Sequence, residues 1–167
     1  MKMNDMSRIS RRIFLAFSLL AAGLAQAQLS IEITGAGANR IPVTIVDFPG
    51  DPTASRVITS TVRADLERSG LFKLIDHSNL AFDENAPINH ADWKARGADG
   101  LAAGSISRSA DGRMEARFRL YDTQKGVSLG GAAYVTNSTQ LRAAGHRIAD
   151  YIYEKLTGEK GVFSTRI

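Results

Sequence analysis

The sequence predicts an α/β fold: a single domain with a mixed sheet, antiparallel hairpins on one side, and two main helices packed on a face. Three observations carry this. Apolar and polar residues alternate in several short runs, the period of half-buried strands. Two longer segments, near residues 58–66 and 141–156, place apolar residues three or four apart, the period of helices. The elements follow the order β-β-α-β-(α)-β-β-β-α, without internal repeats, low-complexity segments or a dividing linker in the body of the chain.

The 167 residues begin with a leader. Met1–Arg12 carries Lys2, Arg8, Arg11 and Arg12 against one acid, Asp5. Ile13–Leu24 is uncharged and mostly apolar, and Ala25-Gln26-Ala27 places small residues at −3 and −1 of a cut between Ala27 and Gln28. Together these features predict a cleavable secretory signal over 1–27. The apolar run is too short for a membrane span, which needs ~20 residues. Ser10-Arg11-Arg12-Ile13-Phe14-Leu15 fits a twin-arginine signal as well as an ordinary basic n-region. Without the leader, Lys+Arg falls from 21 to 17 and Asp+Glu from 17 to 16, for a net charge of +1. So neutral a body argues against nucleic acid as a partner. The absence of Cys excludes disulfides, thiolate chemistry and Cys-ligated metal.

The elements then follow in order. Leu29-Ser30-Ile31-Glu32-Ile33-Thr34 alternates as a strand, and Gly35-Ala36-Gly37-Ala38 breaks it; 28–40 reads as a terminal strand and hinge. Such a strand either adds to another protein's sheet edge or pairs within its own domain. Ile41–Phe48 is β-branched, with Pro42 tolerated near its start. After the turn Pro49-Gly50-Asp51-Pro52, the helix with Ile58, Val62 and Leu66 on one face runs to Gly70. Leu71–Ile75 is a short strand. Asp76–His90 is a polar surface loop, and Asp92–Arg96 makes a helical turn or two closed by Gly97. Ala98–Ser107 is a strand of small residues, Ala110-Asp111-Gly112 a hairpin turn, and Arg113–Asp122 and Val127–Thr136 are its successors. Asn137 is a candidate cap for a final helix with Leu141, Gly145, Ile148, Ile152 and Leu156 as its buried stripe, stopped by Gly158.

Motifs for chemistry are absent. His77, His90 and His146 have no H-E-x-x-H or i, i+4 spacing, so no metal or cofactor is expected. Asp83-Glu84 lies in a polar loop, where solvated charge is the expectation. Ser105 lacks the G-x-S-x-G frame, and Gly35–Arg40 opens no helix for a phosphate. Arg113, Arg117 and Arg119 share a strand face without interleaved aromatics, unlike an RNA-reading sheet. An exported enzyme using Asp83, Glu84 or His146, and a nucleic-acid-binding domain using the arginines, are therefore the weaker readings. A non-catalytic exported interaction domain is the stronger.

Tyr153-Glu154-Lys155-Leu156-Thr157-Gly158-Glu159-Lys160-Gly161-Val162-Phe163-Ser164-Thr165-Arg166-Ile167 resembles the E-K-L-T-G-x-K-G-x-F-x-T-R-I segment of the TolB family's N-terminal domain. Ala64-Asp65-Leu66, Ser69-Gly70-x-Phe72, Trp93 with Gly97-Ala98-Asp99, Leu120-Tyr121-Asp122, and Gly145-His146 with Ala149-Asp150 agree in spacing. The resemblance implies a fold like anticodon-binding domains, over 41–161, with 162–167 opening a linker to a β-propeller. It also implies a periplasmic Tol-Pal role in outer-membrane integrity, envelope constriction at division and protein import. TolA would be engaged through Gln28, Leu29, Ser30, Ile31, Glu32, Ile33, Thr34 and Gly35. Pal would be bound by a propeller, which the family carries after Thr-Arg-Ile and this sequence, ending at Ile167, does not include. A stand-alone domain acting as a partial adaptor without Pal is the alternative.

Overall fold

A computed structural model describes residues 39–77 and 79–165. The predicted leader and the strand 29–34 lie outside these residues. Within them run strands β1 (Ile41–Ile45), β2 (Phe72–Leu74), β3 (Gly100–Arg108), β4 (Met114–Asp122) and β5 (Val127–Thr136), and helices α1 (Pro52–Arg68), α2 (His90–Ala95) and α3 (Leu141–Thr157). The sheet order is β2-β1-β3-β4-β5. β1 pairs parallel with both β2 and β3, while β3–β4 and β4–β5 are antiparallel. The predicted mixed α/β architecture is thus the one observed.

β1 leads through α1 to β2 on one side; the chain then returns past β1 to β3 on the other. Right-handed crossovers in opposite directions must run over opposite faces of the sheet. Accordingly α1, joined by α3, covers one face, and the 76–97 connection with α2 covers the other. The helix side buries Val43, Ile45, Phe48, Ile58, Val62, Leu66, Phe118, Leu120, Ile148 and Ile152. The other side buries Val46, Trp93, Leu101, Ala103 and Tyr121 beneath Leu80, Phe82 and Ile88. Thr44, wholly buried, donates its hydroxyl to the Ile75 carbonyl (3.1 Å).

The helix ends follow local chemistry. Asp51 caps α1 by accepting from the Ala54 N–H (2.9 Å), with Pro52 at the first helical position, where its missing N–H costs nothing. At α3 the expected Asn137 cap is corrected. Helix begins at Leu141, and Asn137 instead closes a turn by accepting from the N–H and hydroxyl of Thr139 (3.0 and 2.7 Å). A local side-chain bond has outcompeted the helix terminus. Gly158 ends α3 in the left-handed region (φ 79°), its N–H bonded to the Glu154 carbonyl.

The two long helices touch at Gly145. A Cβ there would lie 2.7 Å from Thr61 Cβ, so only glycine permits this approach. One turn along α1, Asp65 is buried and its Oδ2 lies 2.5 Å from His146 Nδ1 on α3, while Oδ1 accepts from Arg68 (3.1 Å). A polar pin therefore sits beside the close approach of the two helices at Gly145. The carboxylate is satisfied from both sides, as a buried charge must be.

Leu66→Ala and Ile152→Ala should each cost about 2–5 kcal/mol in urea unfolding, as both side chains are fully buried; losses below about 1 kcal/mol at both would show the helix faces to be wrong. Asp65→Ala should cost about 1–3 kcal/mol by stranding its partners. Arg68→Ala, with a side chain 71% exposed, should cost under about 1 kcal/mol. Acid supplies a further test. The Ala54 N–H, and then Arg108, hold the Asp51 carboxyl below its ordinary value of 3.8. A depressed folded pKa gives stability that is present above the unfolded value and is lost as pH falls through the folded one. Asp51→Asn keeps a capping acceptor but has no such proton to gain. Its stability gap from the parent should close as urea midpoints are followed downward through this range; a gap constant with pH would contradict the assignment.

Candidate functional site

The predicted partner segment, Gln28–Gly35, and the cut between Ala27 and Gln28 lie outside the described residues. The other residues singled out by sequence separate onto three places. Arg117 and Arg119 project, exposed, from the face of β4 away from the helices. Arg113 precedes β4 and bonds to Asp111 (2.7 Å) in the hairpin turn, so it does not extend the strip. Arg117 pairs with Glu115 (2.8 Å); the Arg119 side chain makes no ion pair or hydrogen bond among the described residues.

The second place is the 76–90 connection, where one expectation is corrected. Glu84 is not a solvated loop charge but is buried. The reason is packing: Tyr121 donates its hydroxyl to the Glu84 carbonyl (3.1 Å), and Leu80, Phe82 and Ile88 fold down onto the Trp93 cluster. Glu84 Oε2, His77 Nε2 and His90 Nδ1 are buried there without hydrogen-bond partners. His77 and His90 lie edge-on to Trp93 and Tyr121, at 5.4 and 5.8 Å. No three His, Cys, Asp or Glu among the described residues form a group able to hold a metal.

The third place surrounds His146. An open groove of about 720 Å³ runs between the end of β5, the first turns of α3 and the returning C-terminal segment. Tyr134, Thr136, Arg142, His146, Arg147 and Phe163 line it. The Arg147 guanidinium sits 5.5 Å over the Tyr134 ring. Burial pushes the Tyr134 phenol pKa up, keeping its O–H protonated. Residues 161–165 close one wall. The Asp150 carboxylate accepts from the Phe163 and Ser164 amides (2.7 and 3.0 Å), and Phe163 packs edge-on against Tyr153 at 5.6 Å. Gly161 makes this possible, since a Cβ there would lie 2.5 Å from the Asp150 Cα.

A smaller crevice of about 350 Å³ opens at the carboxyl end of β1, beside Asp47, Ser55, Arg56, Thr59 and Arg63. In α/β sheets this is the usual place for a ligand. Here Arg63 is already spent: it donates to the Ile45 carbonyl (2.6 and 3.1 Å) and to Asp47 (2.8 Å). It ties α1 to the end of β1 and is a structural clamp. Sequence reasoning assigned Arg63 no role and missed this one. It also missed the groove, whose walls come from three segments distant in sequence.

Sequence and fold are shared with known proteins. The model of the TolB amino-terminal domain matches residues 29–129. The Tol-Pal system protein TolB of Dechloromonas aromatica (strain RCB) is 86% identical over 165 residues, covering 99% of this chain and 39% of that protein. The Tol-Pal system protein TolB of Aromatoleum aromaticum (strain DSM 19018 / LMG 30748 / EbN1) is 54% identical over 157 residues, 93% of this chain and 37% of its own length. The chain thus spans less than two fifths of these relatives. The crystal structure of TolB from Acinetobacter baumannii superimposes with a TM-score of 0.66 at 35% identity, over 80% of this chain and 32% of that one. On sequence and on fold alike, this chain belongs to the TolB amino-terminal domain family.

Proposed function

We propose that this chain serves the Tol-Pal system as a periplasmic, non-catalytic interaction domain that engages TolA through residues 28–35. The single observation that carries this reading is the 86% identity, over 99% of the chain, to a protein named for that system. Export would be directed by the signal over 1–27, which would be cut between Ala27 and Gln28. No helix among the described residues is long and apolar enough to cross a membrane.

The mechanism is strand addition. Leu29, Ile31 and Ile33 would present one apolar face, with Ser30, Glu32 and Thr34 on the other, to an open sheet edge of TolA. Main-chain hydrogen bonds would supply affinity and the alternating side chains specificity. Pal would be met by the portion that the longer relatives carry beyond the length matched here. Joining the two partners would support outer-membrane integrity, constriction of the envelope at division and protein import.

Calorimetric titration of TolA into the full chain, and into a variant lacking 28–35, tests this. Binding should be abolished by the deletion while the circular dichroism spectrum stays unchanged. Equal affinity in both proteins would refute the assignment of the segment.

A further inference from the structure

The sheet has two ends of different character. β2, at one end, is three residues long, whereas β5, at the other, has ten. Among the described residues β5 is bonded on one side only, to β4. Beyond an irregularity at Leu120/Tyr121, Gly131–Thr136 runs in unbroken register with β4, from Gly131↔Arg119 to Thr136↔Met114. These six residues include no proline and no charge, and Val135 is 54% exposed. The common devices that keep an edge from pairing are missing along them.

The surroundings define what would pair. On the face away from the helices, Arg119 lies beside Gly131, Arg117 beside Ala133, and Glu115, which already takes one arm of Arg117 (2.8 Å), beside Val135, so Arg119 is the cation left open and Arg117 would be shared. Adjacent strands are ~4.8 Å apart, so a further strand would lie ~10 Å from β4. Gly131 and Ala133 present at most one carbon, and a carboxylate side chain can lie over them toward the guanidinium groups. On the helix face the edge borders the groove with Arg142 and Arg147. Asp150, nearby on α3, is spent on the Phe163 and Ser164 amides.

We propose that Gly131–Thr136 is a docking edge for an extended acidic segment of a partner protein, bound as a sixth strand with its carboxylates over Gly131 and Ala133 toward Arg119 and Arg117. A second copy of the chain fits less well, because pairing β5 with β5 brings two arginine rows together. The chain's own 28–35 offers a single carboxylate, Glu32, to two arginines. This surface is separate from the TolA-facing segment and stands whether or not that segment binds TolA.

The test uses a fluorescent nine-residue peptide of alternating Glu and Val, with proline at each end against self-association, and its Lys counterpart. Anisotropy with the full chain should show the Glu peptide binding about tenfold more tightly than the Lys peptide, a preference that shrinks with salt. Hydrogen exchange at 131–136 should slow on binding. The Arg117→Ala/Arg119→Ala double variant, and separately Ala133→Glu, should each weaken the Glu peptide by about tenfold with the fold intact by circular dichroism. Equal affinity for the two peptides, or protection elsewhere than in β5, would overturn the proposal. So would protection, in the free chain, of the amides in 131–136 that point away from β4, whether it accompanies a dimer in sedimentation or vanishes when 28–35 is deleted. The first result would give the edge to a second copy, the other to the chain's own strand.

Discussion

β1 is hydrogen-bonded in parallel along both of its edges, and most of the fold follows from that constraint. A strand so placed cannot be joined to either neighbour by a tight turn; each connection must cross a face of the sheet. The two crossings proceed in opposite directions, so right-handedness sends them to opposite faces. One becomes α1 and the other the 76–97 connection. This is why Val43 through Val46 is buried without the alternation of an ordinary half-exposed strand, and why the hydroxyl of Thr44 must find the Ile75 carbonyl. It is also why the end of β1 needs Arg63, whose guanidinium occupies the Ile45 carbonyl that the sheet leaves open.

The antiparallel half obeys no such rule. β3, β4 and β5 are joined by hairpin turns, and nothing in their connectivity covers the face opposite the helices. β4 therefore alternates cleanly, Met114, Ala116, Phe118 and Leu120 inward against Glu115, Arg117 and Arg119 outward. The molecule is a hybrid: sealed on both faces where strands run parallel, one-sided where they do not. Its open polar surface lies at the one-sided end.

Much of this was legible in the sequence because the responsible forces act within a few residues. The stripe Ile58, Val62, Leu66, the alternation in β4, and Gly158 as a helix stop all reflect local periodicity or backbone preference. The misreadings have a common physical origin in longer-range competition. Asn137 has the chemistry of a helix cap, but Thr139 offers it a nearer donor. Glu84 looks solvated from its neighbours and is buried because Tyr121, 37 residues away, draws the loop down. The candidate site was less legible still. His146 was visible only as a histidine without metal-ligand spacing, yet its significance rests on Asp65, 81 positions earlier, and no local pattern links the two. The exposed edge of β5 is a property of sheet order, which no single strand's sequence encodes.

The return of the C-terminal segment has a mechanical meaning. After Gly158 the chain doubles back along α3 and is held near Asp150, two turns before the end of that helix. Tension applied beyond Thr165 would therefore reach the domain sideways, at the middle of α3. It would meet the two Asp150 hydrogen bonds and the Phe163 ring before it could unwind the helix from its last turn. Bonds loaded one after another, as in peeling, yield at lower force than bonds loaded together in shear. The segment would detach as a short slack length while the helix pair, pinned at Gly145 and Asp65, stayed whole. The domain thus carries a strain-relief loop at its exit, ahead of its core.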